Sequence, residues 1–513
     1  MTQHFDADVA IIGYGPSGVA AANVLGHHGV SAVAFERDEE IYPRARAVTV
    51  NDWTMRCLQS VGLDDALAAD MDVTKALRWV TYDGKQLHHL TFPPSTLGHP
   101  RSYAIYQPLM EATLRRGAER YPDEVQVNYG VEVTGVEQDD DGVTVTTAEL
   151  STGAVGTIRT RYALACHGGN STTRERLGVE LRGETVEVRW VVIDARVKRW
   201  WPDRDVLTFW SDKQRPVVDI ALAGGNHRWE FPLRAEESED DFATNEQLWP
   251  LLKAMGVAEN DVEIHQHAFY RHHVRMADRW RMGRVFLVGD AAHLMPPWAG
   301  AGMQSGIRDA FDIGWKLAQV LGGRMPDTLL DTYQAERQPN VAMYTRIAVE
   351  LGRIIKQELS EQEMAALAAA PPEGTTPPEP PLLRPPHLEA GWVRGPLGED
   401  SVVGKMIPQP RIASPRGVIT RLDDLLGDGF VLLGDDVDPA TALSEEEKAG
   451  WDALDARYVA VRPASKGTEG QDEIVDLDGV VLEWLRGYGA RVVALRPDRF
   501  VAAADRTGLA VPD

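Results

Sequence analysis

The stretch DVAIIGYGPSGVAAANVLGHHGVSAVAFER, residues 8–37, constrains the fold more strongly than any other part of this sequence. An apolar run is followed by a GxGxxG motif, a helical segment and a second apolar run that ends at Glu36. In such a unit the first glycine permits a tight turn, the second lets the backbone approach a pyrophosphate, and the third lets helix and strand pack closely. The order predicts a Rossmann-like α/β fold whose helix N-terminus binds a dinucleotide, either NAD or FAD. The residues that we expect to bind it are Gly13, Gly15, Pro16, Ser17, Gly18, Glu36 and Arg37.

The stretch GRVFLVGDAAHLMPPWAGAGMQSGIRDA, residues 283–310, predicts a second part of the same site. An apolar strand runs into an acid, a loop rich in proline and glycine follows, and an amphipathic helix begins near Met303. Glycine lets backbone press against a flat ring, and a helix N-terminus stabilises negative charge. The candidate cofactor-binding residues here are Gly289, Asp290, Pro297, Gly300, Gly302, Met303 and Gln304.

Together, these two stretches resemble the FAD-dependent aromatic hydroxylases, the single-component flavoprotein monooxygenases of the p-hydroxybenzoate hydroxylase type. The resemblance implies that Asp290 holds a ribityl hydroxyl of FAD and that residues 297–302 pass along the isoalloxazine ring. It also implies that the helix from Met303 points its N-terminus at the pyrimidine edge of the flavin.

Further segments extend the resemblance over nearly the whole chain. Residues 42–63 are similar to a family segment in which Arg44 and Arg46 would lie beside the flavin, and residues 103–119 to a helix whose Gln107 would contact FAD. The segments VVGKMIPQPRI and LRPDRFVA, near the C-terminus, are most similar to the 3-(3-hydroxyphenyl)propionate branch and to related phenol and polyketide hydroxylases.

Two positions depart from the family pattern. Cys166-His167-Gly168 stands where the family has Cys-Asp-Gly, an aspartate that supports binding of FAD and of the nicotinamide cofactor. His167 cannot supply a fixed negative charge, which leaves the coupling to NAD(P)H open, while Gly168 remains a candidate FAD contact. Asn51-Asp52 stands where close relatives have two acids, and in some phenol hydroxylases the first of these acids helps to deprotonate the substrate. Asn51 cannot act as a base, so Asp52 is the candidate.

Residues 180–275 contain short β-rich runs with alternating apolar residues, which predict an inserted antiparallel sheet that covers the flavin and shapes a substrate pocket. Hydroxylation of a phenol next to its hydroxyl group requires a base, and the candidates are Asp52, Tyr270 and His272. For each of these residues, the alternative to a catalytic role is an ordinary structural role in packing or at the surface. Arg189 or Arg271 could hold a carboxylate of the substrate.

The predicted domain order follows from these segments. Proline-rich residues 366–391 predict a stiff linker, and the strand-like and helical runs after it predict a thioredoxin-like α/β domain. Because no cysteine follows Cys166, that domain cannot perform dithiol chemistry, and a structural or dimerising role is expected. The domains are an FAD-binding domain at 1–180 and 276–365, a substrate-binding sheet domain at 181–275, the linker at 366–391 and the C-terminal domain at 392–513.

Composition excludes several classes of partner. The 513 residues carry a formal net charge of -24, which argues against nucleic acids and anionic membranes. The two cysteines, the absence of a signal-peptide pattern and the absence of a long apolar stretch predict a cytoplasmic protein. Residues 265–273 hold four histidines, but no cysteine lies nearby, and no metal site is predicted.

The resemblance therefore implies an FAD enzyme that uses NADH or NADPH and molecular oxygen to hydroxylate a phenolic substrate similar to 3-(3-hydroxyphenyl)propionate, through a flavin C4a-hydroperoxide. A polyketide or other aromatic tailoring hydroxylase, a flavoprotein reductase without oxygen insertion, and a non-catalytic flavoprotein remain alternatives. A homodimer is possible. No motif distinguishes NADH from NADPH or identifies the substrate.

Overall fold

A parallel sheet forms the centre of the computed structural model, which describes residues 4–360, 362–363, 380–468 and 470–512. Residues 9–12 are almost completely buried in its first strand, as expected for a parallel sheet covered on both faces. The parallel strands lie in the spatial order Val285–Leu287, Val155–Ala165, Ala7–Ile12, Ala32–Glu36 and Val125–Tyr129. Antiparallel strands that extend this central sheet are Val131–Gln138, Val143–Glu149 and Arg281–Met282. The predicted Rossmann-like α/β fold is confirmed.

Two helices, Pro16–His27 and Gly302–Leu321, pack side by side on this sheet. Their contact is so close that a Cβ atom on Gly314 would lie 2.3 Å from Cγ1 of Val24. The contact brings the two predicted cofactor segments to one edge of the sheet. The other helices are Asp52–Ser60, Asp64–Ala68, Gln107–Ala118, Thr172–Arg176, Asn245–Ala254, Thr332–Ile355, Leu422–Leu426, Glu445–Asp452 and Val480–Gly487.

A second sheet stands over that edge. The β-rich runs predicted between 180 and 275 all form strands of this sheet, but it is wider than predicted, because residues 76–80, 86–91 and 293–294 add three strands. The sheet is antiparallel except where residues 76–80 pair in parallel with residues 206–210. Its order is His293–Leu294, Val262–Ala277, Leu181–Val197, Asn226–Pro232, Val217–Leu222, Val206–Trp210, Ala76–Val80 and Gln86–Thr91. A small third sheet contains Thr49–Asn51, Ser102–Ala104 and Asp72–Val73.

The C-terminal part of the chain has its own mixed sheet and core. The predicted α/β character of this part is confirmed, while its likeness to thioredoxin stays a prediction. Residues 366–379 of the predicted linker lie outside the described residues. The strands lie in the order Ile419–Arg421, Arg411–Ala413, Glu473–Asp476, Arg457–Pro463, Val431–Asp435, Val492–Leu495 and Val501–Ala504. No helix in the described ranges has the length and apolar character needed to cross a lipid bilayer.

A buried ionic cluster joins the C-terminal part to the helices Gly302–Leu321 and Thr332–Ile355. Arg496 is fully buried and donates two hydrogen bonds, of 2.8 and 2.6 Å, to the Glu336 carboxylate. Nζ of Lys316 lies 2.8 Å from the same carboxylate. These two cations hold the pKa of Glu336 well below its usual range. The cluster therefore depends on every partner, because removal of one would leave an uncompensated buried charge.

We expect the substitution Arg496→Met to destabilise the protein by about 3–5 kcal/mol, the usual cost of breaking a buried ion pair. The thermal unfolding midpoint of the FAD-loaded protein would measure this loss. Arg486→Met is the matched control, because Arg486 is a surface arginine of the same part of the chain that pairs with Asp435. Equal effects of the two substitutions would contradict the importance of the buried cluster.

Candidate active site

A cavity of about 650 Å³ opens between the central sheet and the second sheet, and the two predicted cofactor segments meet in its wall. Gly18, Gly289 and Gln304 lie behind the wall, outside the lining. The predicted cofactor-binding residues that line the cavity are Gly13, Gly15, Pro16, Ser17, Glu36, Arg37, Arg46, Gln107, Gly168, Asp290, Pro297, Gly300, Gly302 and Met303.

The glycines of the motif have distinct structural roles. A Cβ atom on Gly18 would lie 2.0 Å from the carbonyl oxygen of Gly13, so glycine is required there for packing within the protein. A Cβ atom on Gly15 or Gly168 would meet no protein atom within 4 Å, although both residues line the cavity. The space in front of these two glycines therefore suits a ligand that approaches the backbone, as a dinucleotide does.

Two polar side chains hold the cavity wall in shape. The backbone N–H groups of Tyr14 and Asp38 donate to the Glu36 carboxylate at 2.7 and 3.0 Å. Oε1 of Gln107 accepts hydrogen bonds of 2.8 Å from the N–H groups of both Arg46 and Ala47. Glu36 and Gln107 thus fix the local backbone and also present polar atoms to the cavity.

Gln304 supports the glycine loop from behind. Its Oε1 accepts a hydrogen bond of 2.9 Å from the N–H of Asn51, and its Nε2 donates to the Gly300 carbonyl at 2.7 Å. Gly300 has a φ of 59°, a left-handed conformation that favours glycine. The side chain thereby positions this loop beside the helix N-terminus at Gly302, whose free N–H groups stabilise negative charge.

An acid and a histidine occupy the segments expected to contact the flavin. Burial raises the pKa of Asp290, which lies in the cavity wall. Nε2 of His167 lies 3.1 Å from the Ser171 hydroxyl and 3.3 Å from the N–H of Thr173, at the start of a short helix. Burial lowers the pKa of His167 to about 4. His167 is therefore neutral at neutral pH and adds no charge to the wall.

The substitution Gly15→Val tests whether the space in front of this glycine is for the cofactor. We expect FAD to bind at least about tenfold more weakly, because the added side chain would project into the cavity. Flavin fluorescence during titration of the apoprotein measures the affinity. Gly18→Val is the contrasting substitution, and it should lower the thermal unfolding midpoint of the apoprotein. Gly15→Val should leave that midpoint unchanged. Unchanged FAD affinity in Gly15→Val would contradict this assignment.

The second sheet contributes an apolar wall to the cavity, with one exception. Among the described residues, Glu230 is the single charged side chain that this sheet places in the lining. The apolar residues of the sheet in the wall are Leu77, Leu207, Phe209, Val218, Ile220 and Leu294. An aromatic ring would fit such a wall, which matches the general character of small-molecule pockets.

The three candidate bases occupy different places, and none of them lines the cavity. Asp52 borders a separate space of about 60 Å³, where its carboxylate accepts a hydrogen bond of 2.6 Å from Ser95. Burial raises the pKa of Asp52. Tyr270 lies behind Glu230 and hydrogen-bonds its carboxylate, and burial raises the pKa of the Tyr270 phenol well above its usual value.

His272 is packed among aromatic rings. Its ring centre lies 5.4 Å from that of Trp190, 4.8 Å from Trp298 and 5.1 Å from Tyr270. Neither ring nitrogen has a hydrogen-bond partner among the described residues. Burial lowers the pKa of His272 to about 3. These surroundings favour a packing role over a catalytic one.

Glu230 is the residue that sequence reasoning missed, and the two arginines considered for a substrate carboxylate are placed elsewhere. Arg189 is exposed and pairs with Glu239, and Arg271 is exposed on the neighbouring strand. Neither arginine lines the cavity. A usable signal for Glu230 was present in HRWEFPL, where an acid stands between two aromatic residues of a predicted strand. An acid placed in a buried strand needs a partner or a function.

The substitution His272→Phe separates packing from catalysis. We expect hydroxylation within about threefold of wild type, since the replacement conserves the volume and aromatic character of the side chain. His272 is neutral when folded, so the unfolded state binds the extra proton, and stability falls as the pH drops from about 6.5 towards about 3. The substitution should remove this part of the acid sensitivity, measured by thermal unfolding across that range.

The same replacement at the exposed His88 is the control for the loss of an imidazole. A hundredfold loss of hydroxylation in His272→Phe, with the fold intact, would instead make His272 part of the reaction.

Comparison with known proteins identifies the class. Residues 6–348 match the FAD binding domain family, and residues 404–510 match the HcaD C-terminal domain. Among solved structures, aklavinone-11 hydroxylase in complex with FAD and aklavinone has a TM-score of 0.79 at 23% identity, covering 98% of this chain and 96% of its own. The fold is thus that of the flavin-dependent hydroxylases.

The sequence relatives are more specific. A 3-(3-hydroxy-phenyl)propionate/3-hydroxycinnamic acid hydroxylase of Mycolicibacterium smegmatis is 35% identical over 517 residues, covering 97% of this chain and 90% of its own. A corresponding hydroxylase 2 of Burkholderia vietnamiensis is 34% identical, covering 98% and 94%. The protein is a flavin-dependent aromatic monooxygenase. It belongs to the family of FAD-dependent aromatic hydroxylases, as the two cofactor segments predicted.

Proposed function

We propose that the protein uses NADH or NADPH and molecular oxygen to hydroxylate a phenolic compound similar to 3-(3-hydroxyphenyl)propionate. The observation that carries this proposal is the cavity itself. One side has the glycine backbone, Asp290 and a helix N-terminus, and the other has an apolar wall with a single acid. The full-length similarity to hydroxylases of that name supports the choice of substrate.

The residues of the cavity suit FAD. We propose that the backbone at Gly13 and Gly15 holds the pyrophosphate, that Glu36 binds a ribose, and that Asp290 binds the ribityl chain. Held by these residues, FAD would supply the redox chemistry that links NAD(P)H and oxygen to hydroxylation of the ring. Overall, phenol, O₂, NAD(P)H and one proton give catechol, NAD(P)⁺ and water.

The protein's own contribution is electrostatic and steric. The N–H groups at the start of the helix Gly302–Leu321 stabilise the negative charge of a reduced ring system at its pyrimidine edge. The apolar residues of the second sheet exclude water and hold the substrate ring against the cofactor. These two effects favour transfer of oxygen to the substrate over its loss as hydrogen peroxide.

A flavoprotein reductase without oxygen insertion is the second candidate. The observation in its favour is the neutral His167, which stands where the family has an aspartate that supports nicotinamide binding. Weak coupling between NAD(P)H and the substrate would follow from such a change.

Anaerobic stopped-flow reduction of the FAD-loaded protein distinguishes the two candidates. We expect 3-(3-hydroxyphenyl)propionate to accelerate reduction by NADH or NADPH at least about tenfold, and aerobic turnover to yield about one catechol product per NAD(P)H. Benzoate, which lacks the phenolic hydroxyl, is the control. Reduction that no phenol accelerates, with hydrogen peroxide as the product of oxygen, would overturn the proposal in favour of the reductase.

A further inference from the structure

We propose that Glu230 is the base that accepts the phenolic proton of the substrate, with Tyr270 as the residue that positions it. This inference rests on the proposed function and names the group that acts within it. It also replaces the three bases that the sequence suggested, none of which lines the cavity.

The strand register places Glu230 on the cavity side of the second sheet. Glu230 pairs with Val192 on one side and with Val218 on the other, and cross-strand partners share a face. Val218 lines the cavity. The opposite face of the same strand carries Trp229 and Phe231, which pack in a separate core. The carboxylate thus belongs to the wall that faces the flavin-binding loops, not to the outer core.

A buried network holds Glu230 in place. The guanidinium of Arg228, two residues earlier on the same strand, lies 3.8 Å from the Glu230 carboxylate. Arg228 is itself paired with Asp194 of the adjacent strand at 2.7 and 2.9 Å. The hydroxyl of Tyr270, on the strand beyond the one that carries Asp194, interacts with the Glu230 carboxylate and lowers its pKa. The strand Val217–Leu222, which pairs with the other edge of the Glu230 strand, places the apolar Val218 opposite Glu230 and contributes no charge there.

The surroundings of Glu230 act on its pKa in opposite directions. Because Asp194 already binds Arg228 in a bidentate pair, the cation is only partly available to Glu230. Burial raises the pKa of Glu230, while Arg228 and the Tyr270 hydrogen bond oppose that rise. A base whose pKa is shifted towards the working pH is efficient, because it is ionised and still accepts a proton readily.

The network also connects the base to the flavin side of the cavity. The Arg228 guanidinium donates a hydrogen bond of 3.0 Å to the carbonyl oxygen of Arg46 and another to the carbonyl oxygen of Ala45. Residues 46–49 line the cavity. The same arginine that balances Glu230 therefore fixes the backbone segment that the resemblance places beside the flavin.

The chemical step follows from this placement. As the new C–O bond forms at the ring carbon next to the phenolic hydroxyl, the O–O bond of the oxygen donor breaks, and the second oxygen atom ends as water. The O–H bond of the phenol also breaks, and its proton passes to a carboxylate oxygen of Glu230. The ring then carries a carbonyl and a hydroxylated sp³ carbon. Loss of the proton on that carbon to water and return of the Glu230 proton to the carbonyl oxygen restore the aromatic ring as a catechol. Glu230 ends in its starting state.

The substitution Glu230→Gln keeps the size of the side chain and removes the base. We expect substrate binding and flavin reduction to be retained, while the rate of hydroxylation falls about 100-fold or more and oxygen is diverted to hydrogen peroxide. In wild type the hydroxylation rate should rise with pH as Glu230 ionises. This rise with pH should be absent in Glu230→Gln. Glu230→Asp should recover part of the rate, and Glu239→Gln, at a partly exposed acid of the same domain, should match wild type.

Substrate acidity separates a base from a structural residue. With a series of ring-fluorinated phenols of increasing acidity, the ratio of wild-type to Glu230→Gln hydroxylation rates should fall towards one, since an ionised phenol needs no base. A ratio that is independent of phenol acidity, or an unchanged pH profile, would overturn the assignment. Tyr270→Phe should shift the pH at which the hydroxylation rate rises, and it should retain more activity than Glu230→Gln.

A binding measurement that needs no turnover distinguishes failure of this inference from failure of the proposed function. At a pH at which free 4-nitrophenol is ionised, its binding to the FAD-loaded wild type should take up about one proton, because a phenolate beside ionised Glu230 is repelled. Binding to Glu230→Gln should take up none. Equal proton uptake in both proteins would overturn the role of Glu230 alone. Absence of binding to wild type would overturn the phenolic substrate and this role together.

Discussion

The contact between the helices Pro16–His27 and Gly302–Leu321 is the constraint on which the rest of the structure depends. The absence of side chains at Gly306 and Gly314 lets the two helices approach within van der Waals distance of Ser17 and Val24. Close packing of this kind leaves no tolerance for added atoms. It holds two helix N-termini at one edge of a sheet, where both contribute to the wall of the cavity.

The second sheet illustrates how a fold uses the two faces of its strands. Its outer face forms a separate apolar core, and the part of its inner face that lines the cavity is apolar except for Glu230. The inner face also carries charged side chains, which are costly to bury unless they pair with an opposite charge or serve a function. Arg228 and Asp194 are paired with each other, which leaves Glu230 as the acid with a reaction to perform.

The two predicted cofactor segments meet in the wall of one cavity, and sequence could indicate them because their determinants are local. Gly13, Gly15 and Asp290 act through turns, helix ends and backbone exposure that lie within a few residues of each motif. Gln304 was also identified, but its contacts with Asn51 and Gly300 show a role in supporting the loop, which depends on residues far apart in the chain. The width of the second sheet was underestimated, because residues 86–91 are largely exposed and have no clear apolar alternation.

By itself, the sequence determined that this protein has a parallel α/β sheet with two segments for FAD, since glycine spacing and apolar strands dictate local structure whatever surrounds them. Only the tertiary structure decided which acid faces the substrate. Glu230, Arg228, Asp194 and Tyr270 come from three strands, and their side chains meet through strand pairing and register. A shift of one residue in that register would turn each side chain to the opposite face, so no local pattern can reveal the network.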